Sequence, residues 1–379
     1  MKQKSLLASL RPKPTADTLP LTPLTRNALG PWLDAQVPAV RSWVGQANFK
    51  AEAGSFCLVP GADGHVGRVL AGLGDGLGDD DDPWAPGALP AALPPGSYLV
   101  DPEPEAGAAT RFALAWALGS YDFGRYRRKE KSFAALVWPK AADRAAVERE
   151  ASATFLVRDL VNTPAGDMGP AELAEAATAL GDEFGARTKV IVGVDLLKKN
   201  WPAVHAVGRA STRAPRVIDI AWGDKHAPLV AIVGKGVCFD TGGLDLKPSA
   251  GMLLMKKDMG GAAHALGLAR MVMMAGLPVR QRVIVPAVEN PVAGNAFSRL
   301  DVLRTRKGLT VEVGNTDAEG RLILCDALHE AAEDRPDLLV DFATLTGAAR
   351  VAVGPDLPAL FCNDDALAAD ILKAGEEAG

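Results

Sequence analysis

The stretch N-T-D-A-E-G-R-L, from Asn315 to Leu322, places two acidic residues and an arginine at alternate positions: Asp317, Glu319 and Arg321. In an extended segment alternate side chains lie on one face, so these three groups are expected to converge. Two carboxylates held that close repel each other unless a positive charge lies between them. A divalent metal ion supplies that charge and prefers oxygen ligands. The stretch therefore predicts half of a metal site and leaves Arg321 to hold an anion.

Two glycine-containing stretches upstream supply further charged residues. V-G-K-G-V-C-F-D-T-G-G-L-D-L-K-P runs from Val233 to Pro248, and M-K-K-D-M-G-G-A-A runs from Met255 to Ala263. The candidate ligands and catalytic groups in them are Lys235, Asp240, Lys247 and Asp258. Taken singly, Asp240 is also typical of a turn and Asp258 of a helix N-cap. Spacing alone favours Lys235 as the partner of a phosphate or carboxylate.

Together these stretches closely resemble the leucine aminopeptidase (cytosol aminopeptidase) family of two-metal exopeptidases. The resemblance extends to R-D-L-V-N-T-P at Arg158 to Pro164 and to D-F-A-T-L-T-G-A at Asp341 to Ala348. Five motifs in one order and register make the resemblance specific.

The resemblance implies a role for each candidate residue. Lys235, Asp240, Asp258 and Glu319 would hold the tighter of two divalent ions, Mn²⁺ or Zn²⁺. The more exchangeable ion would be held by Asp240, Asp317 and Glu319. A metal-bridging hydroxide would attack the peptide bond, with Lys247 polarising its carbonyl and a bicarbonate ion on Arg321 acting as general base. The residues implied around the first substrate residue, which is expected to be leucine-like, are Met255, Asn315, Thr344, Leu345 and Gly347.

Hydrophobic periodicity predicts the fold. Strands are expected at Lys189–Val194, Arg216–Trp222, Leu229–Val233, Arg282–Val288 and Asp337–Phe342. Helices are expected at Ala141–Val161, Ala171–Gly181, Gly260–Ala275 and Gly320–Asp334. The alternation predicts an α/β protein whose catalytic domain has a mixed, mainly parallel sheet flanked by helices. We expect a smaller α/β N-terminal domain at residues 1–140, a connecting helix at 141–162 and the catalytic domain at 163–379.

Composition excludes several other classes of protein. No apolar run reaches the roughly 18 residues of a transmembrane helix. The four cysteines are scattered without C-x-x-C spacing, and the N-terminus lacks a leader cleavage pattern, so a cytoplasmic location is expected. The five histidines show no metal-ligand spacing, which leaves oxygen and amine ligands. The acidic run Gly74–Pro83 lacks the distal glutamate of a calcium loop and is expected to be an exposed loop.

The remaining expectations concern partners and completeness. Residues 1–140 carry 15 basic and 14 acidic residues, so nucleic-acid binding is not expected. The resemblance implies that the substrates are peptides with a free N-terminus. The resemblance implies a homohexamer and a catalytic domain that continues beyond residue 379. The alternatives left open are an inactive fragment, a two-metal hydrolase acting on another bond, and a DNA regulator.

Overall fold

The structure, a computed structural model, describes residues 7–77, 82–129 and 131–378. The first six residues lie outside this part; they belong to the N-terminal segment that lacks a leader cleavage pattern. Residues 78–81 of the acidic run also lie outside it. The chain divides into two compact units, one comprising residues 1–155 with 357–379 and the other residues 156–356. Among the described residues no helix has the length and apolarity needed to cross a membrane.

The first unit is built on a six-stranded sheet in the order β1-β6-β5-β2-β4-β3. All its strand pairs are parallel except β3 with β4. Its strands are β1 Leu10–Arg11, β2 Leu19–Leu24, β3 Phe56–Pro60, β4 Val66–Gly72, β5 Ser97–Val100 and β6 Ala135–Val137. Its helices are α1 Arg26–Asp34, α2 Pro38–Gln46, α3 Leu89–Ala92, α4 Ala106–Gly119 and α13 Asp365–Ala378, and α5, Arg144–Asn162, crosses the division between the units. The predicted α/β character of the N-terminal region is confirmed.

The second unit contains the sheet on which the predicted site residues lie, in the order β14-β9-β11-β8-β7, with β10 also paired to β11. Its strands are β7 Arg187–Val192, β8 Arg216–Trp222, β9 Leu229–Gly234, β10 Gly236–Asp240, β11 Arg280–Asn290, β12 Val302–Arg304, β13 Thr310–Glu312 and β14 Leu338–Phe342. Strands β12 and β13 form a separate hairpin. Its helices are α6 Pro170–Glu183, α7 Asp195–Lys198, α8 Pro202–Gly208, α9 Ser249–Met252, α10 Gly260–Ala275, α11 Glu319–Glu333 and α12 Ala348–Val353.

Alternating residues of the central strands bury both faces of this sheet. In β11, Val283, Val285 and Ala287 belong to a core cluster with residues of α6 and α10. Ile284 and Val288 belong to a second cluster with residues of α8 and α11. Because successive side chains of a strand point to opposite faces, this pattern places helices on both sides of the sheet. The predicted mixed, mainly parallel sheet flanked by helices is confirmed.

Strands β14, β9 and β11 run in the same direction, and β10 continues β9 along β11 in the same register. Strand β14 ends beside Gly234, and β10 and β11 end together at Asp240 and Asn290. These ends form the carboxyl edge of the sheet, where open α/β sheets bind ligands. The strand predictions for β8, β9 and β14 agree with the structure to within one residue at each end. Strand β10 was not predicted, and β11 extends to Asn290, so Glu289 lies inside a strand rather than after it.

Helix α10 approaches this edge closely because its first two residues, Gly260 and Gly261, lack side chains. A Cβ added at Gly261 would lie 2.2 Å from the carbonyl oxygen of Phe342 and 2.9 Å from the amide nitrogen of Lys235. A Cβ added at Gly234 would lie 2.7 Å from the Cα of Ala262. The two glycines thus allow α10 to pack against the ends of β9 and β14, and the amide of Ala262 donates to the carbonyl of Lys235 at 2.8 Å.

We predict that Gly261→Ala destabilises the protein by about 1–3 kcal/mol, because the new methyl group overpacks against backbone that cannot retreat. Thermal or urea unfolding measures the change. Gly107→Ala is the matched control: Gly107 lies in helix α4 with nothing within 4 Å of its would-be Cβ. Alanine is the better helix former, so the control should be neutral or stabilising. Equal stability of the two variants would contradict this account of the α10 packing.

Candidate metal centre

Lys235 forms the buried half of the charged cluster at this sheet edge. It follows β9 directly, and its Nζ lies 2.8 Å from Oδ2 of Asp258 and 3.0 Å from Oε1 of Glu319. The same Nζ donates to the carbonyl oxygen of Thr344 at 3.1 Å. Lys235, Asp258 and Glu319 are each exposed by 2% or less. Asp258 comes from a short 3₁₀ helix, Met255–Met259, that leads into α10, and Glu319 is the first residue of α11.

Lys247 forms the more open half. Its Nζ lies 2.8 Å from Oδ2 of Asp240, the last residue of β10, and makes a second ion pair with Asp317. One ligand oxygen each from Asp240, Asp317 and Glu319 lie within 4.8 Å of one another. The structure thus brings together all four predicted carboxylates: Asp240, Asp317 and Glu319 directly, and Asp258 through Lys235.

The predicted extended conformation of Asn315–Leu322 is wrong. Thr316–Ala318 form a 3₁₀ turn, and α11 begins at Glu319. The side chain of Asn315 starts this turn by accepting a hydrogen bond from the amide of Asp317 at 2.8 Å. Asp317 and Glu319 therefore converge because a turn runs into a helix, while Arg321 lies on the exposed side of the first turn of α11. The expected binding of an anion by Arg321 stays a prediction.

Two glycines shape the loop after Asp240. Gly242 and Gly243 have φ values of 88° and 65°, in the left-handed region that side chains disfavour. A Cβ at Gly242 would lie 2.4 Å from the carbonyl oxygen of Asp245. The sharp turn lets the amide of Gly242 donate to Oδ1 of Asp240 at 2.8 Å and brings Lys247 back beside the same carboxylate.

Burial and mutual repulsion dominate the electrostatics of the cluster. Burial raises the pKa of Glu319 to about 7; the ammonium of Lys235 opposes the rise, and Asp240 and Asp258 add to it. Burial likewise raises the pKa of Asp258 and of Asp317 above their ordinary values. For Lys235 burial works to lower the pKa, but the carboxylates of Glu319 and Asp258 outweigh it and raise the pKa overall. The carboxylates thus require more positive charge than their surroundings supply.

The donor set fits divalent metal ions. When all are ionised, the four carboxylates outnumber Lys235 and Lys247, and bound divalent cations would add positive charge among them. Oε2 of Glu319 is buried and has no hydrogen-bond partner in the part of the chain that the structure describes. A buried carboxylate oxygen without a partner costs free energy, and metal coordination removes that cost. Oxygen and amine donors without thiolate suit Mn²⁺ and Zn²⁺ better than a soft metal.

The residues predicted around the substrate contact residues of this cluster or lie close to them in sequence. Oγ1 of Thr344 donates to Oδ1 of Asp258 at 2.8 Å, and Asn315 caps the turn that carries Asp317. Met255 begins the 3₁₀ helix of Asp258 and is half-buried. Leu345, 42% exposed, and the exposed Gly347 follow Thr344. Their contacts with a substrate remain predictions.

Three polar residues that the sequence analysis missed tie the two carboxylate-bearing segments together. Thr316 is fully buried, and its hydroxyl donates to the carbonyl of Gly242 at 2.7 Å. Asp245 accepts from the amide of Thr316 at 2.8 Å. Asn290 donates to both Asp240 and the carbonyl of Thr316. The signal for Asn290 was its position between a strand predicted to end at Val288 and Pro291.

Comparison with known families agrees with this geometry. Residues 155–379 match the model described as the cytosol aminopeptidase family, catalytic domain, and residues 19–139 match the M17 aminopeptidase, N-terminal domain. The two matched models describe the domains of a peptidase family. More narrowly, the chain belongs to the cytosol aminopeptidase (M17) family.

Individual relatives place the chain within this family. It is 45% identical over 227 residues to peptidase B of Enterobacter sp. (strain 638), an alignment covering 58% of this chain and 53% of the relative. The chain thus spans about half the length of that curated relative. The crystal structure of a cytosol aminopeptidase from Coxiella burnetii is 46% identical with a TM-score of 0.91, covering 97% of this chain and 80% of that one. The bottromycin maturation enzyme BotP in complex with Mn is 35% identical with a TM-score of 0.84, covering 96% and 80%.

Gly320 provides a test of the place of Lys235 in this cluster. A Cβ at Gly320 would lie 2.6 Å from Cε, 2.8 Å from Nζ and 2.9 Å from Cδ of Lys235. Because the lysine is buried and bonded to three oxygens, it cannot swing aside at low cost. We predict that Gly320→Ala remains folded, since alanine favours the helix, yet binds Mn²⁺ at least about tenfold more weakly, the loss typical of a displaced supporting group.

Calorimetric or electron paramagnetic resonance titration with Mn²⁺ measures that affinity. Gly314→Ala is the control, because Gly314 precedes the same turn and has open space at its would-be Cβ. Unchanged Mn²⁺ affinity in Gly320→Ala would show that Lys235 does not belong to the metal centre.

Proposed function

We propose that this protein is a two-metal aminopeptidase that releases N-terminal, leucine-like residues from peptides. The observation that carries the proposal is the convergence of four carboxylates and a buried lysine at the carboxyl edge of the sheet. The family membership supports the peptidase chemistry, and the Mn complex of BotP supports Mn²⁺ as one of the metals. Zn²⁺ is the other candidate, because the same oxygen and amine donors bind it.

The ligand assignment follows the pairs seen in the structure. Lys235, Asp258 and Glu319 already lie together and would hold one ion with Asp240. The other ion would be held by Asp317 with Asp240 and Glu319, the three residues whose oxygens lie within 4.8 Å. Asp240 and Glu319 would serve both ions. When bound, such a metal pair supplies Lewis acidity and lowers the pKa of a coordinated water towards roughly 7.

The chain's own residues would orient the substrate and stabilise charge. Water adds across the peptide bond, giving a free amino acid and a peptide shorter by one residue. Lys247, whose side chain is 15% exposed beside Asp240, would neutralise the negative charge that develops on the carbonyl oxygen. Arg321 would hold bicarbonate, which accepts a proton. Lys235 must lose its proton to act as a ligand, and the positive charge of a dication favours that loss.

Exopeptidase action would follow from the free α-amine of the substrate, which can bind to the centre only when unblocked. Met255, Asn315 and Thr344 would surround the first side chain, and backbone groups of Leu345 and Gly347 would bind the substrate main chain. The half-buried Met255 favours an apolar first residue.

We predict that the protein hydrolyses leucine p-nitroanilide only when metal is bound. Chelation and dialysis should abolish turnover, and added Mn²⁺ should restore it, because the metal pair supplies the activated water. N-acetyl-leucine p-nitroanilide is the matched control and should not react. Full activity in a chelated protein shown to be metal-free would refute the proposal, and so would hydrolysis of the acetylated substrate at a comparable rate.

We predict that Lys247→Ala loses about 100-fold to 1,000-fold in kcat, as expected for one oxyanion donor. Its Mn²⁺ affinity should be retained or tightened, since a positive charge beside Asp240 and Asp317 is removed. Lys198→Ala is the control, because Lys198 is exposed and pairs only locally with Asp195. Retained turnover, or loss of metal, would assign Lys247 a different role.

We also propose, from the family resemblance, that the active form is a cytoplasmic homohexamer. Light scattering coupled to size-exclusion chromatography should give six subunits in the active fraction. Full activity confined to a monomeric fraction would contradict the assembly.

A further inference from the structure

Asn290 occupies the point where three segments of the centre meet. It is the last residue of β11 and is 1% exposed. Its Nδ2 donates to Oδ1 of Asp240 at 2.8 Å and to the carbonyl oxygen of Thr316 at 3.1 Å. Its own carbonyl oxygen accepts from the amide of Thr241 at 3.1 Å and from the hydroxyl of Thr241 at 2.8 Å. One buried residue therefore bonds to the segment of Asp240 and to the segment of Asp317.

The bond from Asn290 fixes which oxygen of Asp240 is available. Oδ1 accepts two hydrogen bonds, one from Asn290 and one from the amide of Gly242. Oδ2 receives neither and faces Nζ of Lys247 at 2.8 Å. Because both hydrogen bonds go to Oδ1, the carboxylate of Asp240 cannot rotate without breaking them. Oδ2 is therefore held toward the cluster.

The residues that surround Asn290 leave space for a side chain of the length of asparagine. A Cβ at Gly243 would lie 2.9 Å from Oδ1 of Asn290, so the loop after Asp240 closes directly over the side chain. On the other side Thr316, whose carbonyl Asn290 holds, is joined to Gly242 by its own hydroxyl. The amide thus spans a fixed gap between the loop of Asp240 and the turn of Asp317.

We infer that Asn290 is a positioning residue of the metal centre, orienting Asp240 and fixing the distance between the segments of Asp240 and Asp317. The inference rests on the proposed function, because it concerns the metal pair assigned there. It goes beyond the proposed ligand set, because Asn290 would act through Asp240 and not as a ligand. Since Asp240 would serve both ions, loss of the amide should weaken both together. Removing a group that orients a metal ligand typically costs 10-fold to 100-fold in metal affinity.

Two variants separate hydrogen bonding from packing. Asn290→Ala removes the donor and the volume, and Asn290→Leu removes the donor while keeping a similar volume. Asn295→Ala is the matched control, because the exposed Asn295 also donates its amide to a backbone carbonyl, that of Arg209. Mn²⁺ affinity and stoichiometry are measured by electron paramagnetic resonance titration, and the unfolding temperature of each chelated protein is measured separately.

Both Asn290 variants are expected to bind Mn²⁺ about 10-fold to 100-fold more weakly than the parent, with the control unchanged. Their turnover should recover at raised Mn²⁺. Parent-like Mn²⁺ affinity in folded Asn290→Leu, or a lowered unfolding temperature without loss of affinity, would show a structural role only and overturn the inference. If neither variant folds, Asn290→Ser, whose shorter side chain cannot reach both acceptors, carries the same expectation. A parent that binds neither Mn²⁺ nor Zn²⁺ would instead refute the proposed function, and with it this inference.

Discussion

Negative charge concentrated at one edge of a sheet is the constraint on which the rest of this structure depends. Asp240, Asp258 and Glu319 are each exposed by 3% or less, and Asp317 adjoins them. Burying ionised carboxylates together is costly, because each loses hydration and repels the others. Lys235 and Lys247 each pair with two of them and so offset half of the charge. The metal pair that we propose would add further positive charge between these carboxylates.

The fold meets this constraint by bringing each charged residue from the end of a rigid element. Lys235 follows β9, Asp240 ends β10, and Glu319 begins α11. Glycines at 234 and 261 let α10 lie against the strand ends, so that Asp258 reaches the lysine from the opposite side. Because these elements are packed into the two cores of the second unit, the charged groups cannot separate to relieve their repulsion.

Much of this arrangement could be predicted from the sequence. Hydrophobic periodicity did not predict the turn at Asn315 or the contacts of Asn290. The sequence predicted strand Arg216–Trp222 and helix Gly260–Ala275 with their observed limits. Both contain long apolar patterns, and glycines lie at or beside their ends. Asn315–Leu322 was expected to be extended, yet the capping side chain of Asn315 produces a turn followed by a helix. The alternate spacing of Asp317 and Glu319 predicted that their side chains converge. It did not distinguish an extended strand from a turn at the start of a helix. The bridging role of Asn290 depends on contacts with Asp240 and Thr316, 50 and 26 residues away, which local pattern does not contain.

Anomalous diffraction from crystals of the protein grown with Mn²⁺ tests the central claim most directly. The account predicts two anomalous peaks per chain at the sheet edge, both in contact with Asp240 and Glu319, with Lys235 and Asp258 at one peak and Asp317 at the other. A single peak, peaks on histidines, or ordered Mn²⁺ only at surface carboxylates would contradict it.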